Sequence, residues 1–208
     1  MTSTEITSLL LIAQAAITLL ISIRAFALYS WTRKDLHFIL GTSMGTIAVV
    51  GVVGLVGDNY FAHTFSTKLF RYAAQLVSYT FLLFCAIRSS EQFLRWIKRW
   101  QFFFIGLLLV MLAVTPLLPS ISSPLIDAST SFLRAIVCFA ICLTYASLFM
   151  KKETRFSFLM ALSFLLIAFG IAITTPWYFS PTTVLYLYIG DGMRTVGLLT
   201  LFITYFIP

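Results

Sequence analysis

Seven apolar runs, each about long enough to cross a bilayer as a helix, leave this chain few possible folds. They cover about 5–30, 36–57, 67–88, 101–118, 125–150, 156–177 and 182–207. A helical span needs roughly 20 apolar residues. The runs are continuous rather than alternating, which excludes a membrane barrel, and helices are how such runs satisfy their backbone in lipid. The expectation is therefore all-α: a polytopic membrane protein with a single domain, 1–208, of seven transmembrane helices. Composition agrees, with 10% of residues charged against about 25% in ordinary soluble domains. The first run follows Met-Thr-Ser-Thr-Glu, with no basic segment before it and no small-x-small cleavage site, so it reads as a span rather than a leader.

Lysine and arginine set the expected orientation. Arg33 and Lys34 fall between runs one and two. Arg88, Arg95, Lys98 and Arg99 fall between three and four, and Lys151, Lys152 and Arg155 between five and six. The opposite connections hold only Lys68. Nine against one places the N-terminus outside and the C-terminus inside, as expected for a multi-pass protein of the cell (inner) membrane. Trp31, Trp96 and Trp100 fit an inner aromatic belt and Trp177 an outer one. The net charge of +7 thus reports topology and attraction to an anionic leaflet, not nucleic-acid binding. The lipid bilayer is the first expected partner.

Three arginines interrupt the odd-numbered runs. Arg71, Arg134 and Arg194 are 63 and 60 residues apart. Arg71 precedes Arg88 by 17 residues and Arg134 precedes Lys151 by 17, about 25 Å of helix in each case. Both therefore lie near the outer boundary of the apolar core. Helices 2–3, 4–5 and 6–7 each read as an apolar helix, an outer loop and an arginine-bearing helix. That outline suggests parallel tandem repeats after an added first helix, not the inverted repeats of many transporters. At the depth of the other two, Arg194 would put the inner end of the seventh helix near position 211. The expectation is that the chain continues there, into an output domain or a cytoplasmic signalling partner, or that its last turn frays.

Acids share this layer: Asp58, Asp127 and Asp191. Asp191 and Arg194 are i,i+3 and so neighbours on one helix face. Charges inside spans are costly and face the bundle interior or water. One reading is an outward-opening pocket for a small anionic or lipid-like ligand, lined by Arg71, Arg134, Arg194, Asp191 and Asp58. Tyr72, Gln75, Tyr79, Tyr186 and Tyr188 would supply hydrogen bonds. Its rivals are a structural charge network with snorkelling arginines and a conduction path. Arg24, low in the first helix, reads as a snorkelling residue. Gly41, Gly45, Gly51, Gly54 and Gly57 on the second helix are a close-packing stripe. Gly190, Gly192 and Gly197 thin the seventh helix around the charges, leaving room for a ligand or a kink.

Two segments carry a family likeness. Arg71-Tyr72-Ala73-Ala74-Gln75-Leu76-Val77-Ser78-Tyr79-Thr80 is similar to R-Y-x-D-W-x-x-T-T-P, the third helix of the microbial rhodopsins. Asp191-Gly192-Met193-Arg194-Thr195-Val196-Gly197 resembles their seventh-helix D-x-x-x-K. The resemblance covers about 30 of the 208 residues and implies the seven-helix architecture without the chemistry. Thr195 stands where the family has its retinal lysine, and Ala74 stands where it has the counter-ion acid. All five lysines, Lys34, Lys68, Lys98, Lys151 and Lys152, lie in or near loops. No retinal and no other cofactor is expected. Bacterial seven-helix sensory domains that feed kinases or cyclases are an equal comparison, and fold alone does not carry function.

Catalytic motifs are not found. Gly190-Asp191 and Gly57-Asp58 lack the first glycine of the intramembrane aspartyl protease motif G-x-G-D, and nearby arginines oppose a shared proton. No G-x-S-x-G elbow accompanies His63. His37 and His63 fall on opposite faces, so no metal pair is expected, and Cys85, Cys138 and Cys142 lie within spans as small apolar groups. The expected role is a membrane sensor or receptor that signals through its seventh helix. The alternatives are a small-solute transporter or channel and a non-catalytic structural subunit. The inner half favours the first, because Ser78, Thr80, Thr144 and Tyr145 are its only obvious polar steps.

Overall fold

The computed structural model describes residues 3–60, 67–88, 90–115, 123–179 and 184–206, with the side chains of 3–5 and 58–60 excepted. Seven α-helices make up nearly all of it: α1 (Ser3–Thr32), α2 (Asp35–Tyr60), α3 (Lys68–Ile87), α4 (Glu91–Val114), α5 (Pro124–Lys152), α6 (Arg155–Ile173) and α7 (Val184–Phe206). Six, α1 to α6, are long and apolar enough to cross a membrane, which makes this an integral membrane protein. α7 has the length, but Asp191 and Arg194 interrupt its apolar character.

α1, α2, α3, α5, α6 and α7 pack in that order into a closed ring, with α7 returning to α1. α1, α3, α5 and α7 begin at one end, here the head, and finish at the other, the base. The nine basic residues counted above gather at the base with Trp31, Trp96 and Trp100. Two tight base corners turn through left-handed residues, Arg33 (φ 55°) and Glu153 (φ 50°). Their amides donate to Tyr29 O at 2.8 Å and Phe149 O at 2.7 Å, closing α1 and α5 as a C-terminal glycine would.

α4 stands outside the ring, against α2 and α3. It begins at Glu91, ten residues before the start expected at 101. The charged segment Glu91–Trp100 is too polar for an apolar window, yet it is a good amphipathic helix, with Leu94, Ile97 and Gln101 buried and Glu91, Arg95, Trp96 and Arg99 exposed. Lys98 is therefore helical rather than in a loop. It pairs with Asp35 at 2.8 Å, donates to the Tyr29 hydroxyl at 3.0 Å and lies over the Phe38 ring. One turn on, buried Gln101 donates to Ile39 O at 3.1 Å and Ser43 Oγ at 3.0 Å. Because α4 has no ring neighbour on its far side, these bonds fix its register. Gln101→Leu should lower stability by about 0.5–1.5 kcal/mol and speed proteolysis at the ends of α4. Unchanged melting and proteolysis would mean that apolar packing alone holds α4.

The pairing of helices departs from the expected repeat. α2 packs on α3 and α6 on α7, but among the described residues α4 and α5 share no packed face. α6 also stops earlier than the expected 177. Thr174 ends it, its hydroxyl bonded to Ile171 O, and Pro176 opens a 3-10 turn, Thr175–Tyr178, since proline cannot continue the helix.

The helix 2 glycines are distributed between two neighbours. A Cβ at Gly41 or Gly45 would meet Phe26 or Ser22 of α1, and one at Gly51 would stand 2.8 Å from the Ala15 Cβ. Gly54 and Gly57 face Arg71 and Thr67 at the start of α3. The base half of the ring is filled by Ile21, Met44, Leu82, Ile141, Phe164 and Leu201, all buried in one apolar cluster.

Candidate functional site

The head half of the ring holds a cavity of about 380 Å³. α1 contributes Thr7, Ser8, Leu11 and Gln14, and α2 contributes Val50, Gly51 and Leu55. α3 adds Lys68, Arg71, Tyr72 and Gln75, and α5 adds Arg134. α7 gives Leu187, Asp191 and Arg194, and the turn after α6 gives Trp177 and Tyr178. Arg71, Arg134 and Arg194, from three helices, thus face one space. Of the other expected residues, Tyr72, Gln75 and Asp191 line it too. Tyr79 lies one level deeper, on a void of about 20 Å³ shared with Gln14, Gln75, Arg194 and Leu198. Asp58 lies outside the residues whose side chains are described. Tyr186 and Tyr188 are not on the cavity wall.

Each arginine is held differently. Arg71 crosses α2 over Gly54, where a Cβ would stand 2.6 Å from its Nη1. The missing side chain is what lets the guanidinium reach the cavity. Arg194 donates from Nη2 to Asp191 Oδ1, a pair one turn apart on α7 that is partly buried, with side-chain exposures of 19% and 15%. Arg134 is 2% exposed. It donates to Gln75 Oε1 and to Ser131 Oγ at 2.9 Å, and its guanidinium carbon lies 4.3 Å from the centre of the Tyr72 ring. All three of those partners are neutral. The Nε atoms of Arg134 and Arg194 are buried without a hydrogen-bond partner.

Two groups not anticipated from sequence complete the wall. Gln14 Nε2 donates to Asp191 O and to Thr195 Oγ1, each at 3.1 Å, tying α1 to α7 at the level of the charges. Thr195 itself donates to Asp191 O at 2.8 Å. Thr195 is thus part of a neutral clasp. The Tyr178 and Tyr72 hydroxyls share a hydrogen bond of 3.0 Å, either one donating, and their rings meet edge to face. Tyr178 reaches this place because α6 ends at Ile173 and the 3-10 turn folds back over the ring. For Gln14 a signal existed: it is the only amide in the first apolar run.

The glycines of α7 serve two purposes. Gly190 and Gly197 lie against α6. A Cβ at Gly190 would be 2.5 Å from Gly170 O, and one at Gly197 2.8 Å from Ser163 O. Gly192 has nothing within 4 Å. The expected room for a ligand is therefore not made by Gly190 and Gly197, which let α6 and α7 touch backbone to backbone.

Chemically the wall is rich in cationic donors and poor in acceptors. Asp191 is the one carboxylate among its described residues, so a carboxylate dyad is not assembled there. Among the described residues, no three His, Cys, Asp or Glu side chains come together as metal ligands. No family model, curated protein or solved structure matches the chain.

Proposed function

We propose that this protein is a seven-span membrane sensor that binds a small anion in its head cavity and passes the binding event along α7 to the base. The supporting observation is that Arg71, Arg134 and Arg194 face one cavity whose floor is closed by packed apolar side chains. α7 serves as the seventh span: its 23 residues extend about 34 Å, it packs between α1 and α6, and its two charges neutralise each other. The head faces outward and the base faces the cytoplasm, following the basic residues, in the cell membrane. α7 suits the signalling part because it carries Asp191 and Arg194 on the cavity wall, is clasped to α1 by Gln14 and is interlocked with α6 through glycine. A displacement at the cavity is then carried by a stiff helix rather than absorbed. The rhodopsin-like likeness adds the architecture only.

The rival reading, a transporter or channel, needs a polar route through the base half. The test separates the two. In proteoliposomes, small anions are expected to bind saturably from the head side with no flux above that of protein-free vesicles. Protein-dependent flux would favour the rival. Folded Arg71→Ala, Arg134→Ala and Arg194→Ala variants that bind every anion as the parent does would remove the pocket reading altogether.

A further inference from the structure

We infer that the ligand is a small apolar monocarboxylic acid, an aromatic or compact aliphatic body bearing one carboxylate, and that Arg134 is its anchor. The inference rests on the anion-binding reading above and narrows it.

The charge pattern sets the anchor. Arg194 already has its counter-charge in Asp191. Arg134 has no carboxylate within ion-pairing distance among the described residues; Asp127 precedes it by seven positions on the same helix, about 10 Å along the axis. A guanidinium that is 2% exposed, held only by an amide, a hydroxyl and a ring face, and with its Nε unpartnered, lacks one negative charge. A buried charge is costly unless it is paired. A carboxylate supplies what is missing; Lys68 and Arg71 share the wall with Asp191, so the charges fix the anchor and the apolar walls limit the rest of the molecule to one such group. The planar fork of arginine donors matches a carboxylate in two-point contact.

The walls set the rest of the molecule. Leu11, Val50, Leu55 and Leu187 present apolar surface, and Trp177 with the Tyr72–Tyr178 pair presents ring faces and edges. The volume of about 380 Å³ is at the small end for ligand sites. Below it only about 20 Å³ remains, closed by Tyr79, Ile167 and Leu198. That is room for about one water and not for a long acyl chain directed toward the base.

The experiment is equilibrium dialysis of the full chain in lipid nanodiscs against benzoate, cyclohexanecarboxylate, benzamide, palmitate and inorganic phosphate. Benzoate and cyclohexanecarboxylate are expected to bind saturably, and benzamide, the neutral isostere, at least about tenfold more weakly, as loss of a charge-assisted pair implies. Arg134→Lys, which keeps the charge and loses the fork, should weaken benzoate by about tenfold. If that variant does not fold, the benzoate–benzamide ratio on the parent protein decides. Equal binding of benzamide and benzoate overturns the inference, as does a folded Arg134→Lys that binds benzoate unchanged. Phosphate or palmitate binding as tightly as benzoate overturns the ligand class while leaving the anion pocket standing. Failure of every anion to bind removes the pocket reading as well.

Discussion

Asp191→Ala is expected to cost the folded protein about 3 kcal/mol, the lower end of the range for breaking a buried ion pair from one side. The lower end applies because both partners keep some exposure, 19% for Arg194 and 15% for Asp191. The loss comes from the stranded Arg194 guanidinium, whose Nε is already without a partner. The clasp from Gln14 and Thr195 uses the Asp191 carbonyl, which alanine keeps, so the substitution isolates the charge. Adding Arg194→Ala should recover part of the loss, since the pair then leaves no stranded charge of its own. Unfolding of all four proteins in mixed micelles completes the double-mutant cycle. An Asp191→Ala protein as stable as the parent would show that Arg194 finds water or another acceptor, and that the pair is incidental.

Gly190→Ala should be more damaging still, although it adds a single methyl group. Its Cβ would stand 2.4 Å from Thr174 Cγ2 and 2.5 Å from the Gly170 carbonyl oxygen. The second contact is with backbone, so no side-chain rotation relieves it and α6 and α7 must separate. A cost above about 3 kcal/mol, the upper end for ordinary overpacking, is expected, with loss of the folded form in the more extreme Gly190→Val. Gly192→Ala, two residues away, meets nothing within 4 Å and should be neutral or stabilising by a few tenths of a kcal/mol, about the sense of the helix-propensity difference. Melting temperatures of the two alanine variants give the contrast directly. Equal effects would mean that α6 and α7 are not in backbone contact.

Depth was legible in the sequence and direction was not. Residue number converts almost linearly into height along a helix, so the spacing from Arg71 to Arg88 and from Arg134 to Lys151 put both arginines in one layer. Whether they turn toward each other depends on helix rotation, which packing sets. Gly54 beneath Arg71 and the Gly170–Gly190 contact beside Arg194 are examples, and neither follows from a glycine's position in one helix. The start of α4 was hidden because its first ten residues carry four charges, and charge lowers hydropathy without lowering helix propensity. Its place outside the ring was hidden too, because its exposed Phe102, Phe103, Leu107 and Val110 read the same facing lipid as facing protein. A sixth helix unbroken to 177 leaves Tyr178 at the helix end. The 3-10 turn at Pro176 brings it to Tyr72 instead.

A head cavity that is a binding site with Arg134 at its heart, not a set of charges that satisfy one another, should hold its ligand in place. The decisive measurement is an experimental structure of the protein in lipid nanodiscs saturated with 4-bromobenzoate. Ligand density is expected in the cavity, with its carboxylate on the Arg134 guanidinium, its ring between Leu55, Leu187 and the Tyr72–Tyr178 pair, and the Asp191–Arg194 pair intact. An empty cavity, with Arg134 turned onto a carboxylate of the protein itself, would contradict it and leave a structural charge network in its place.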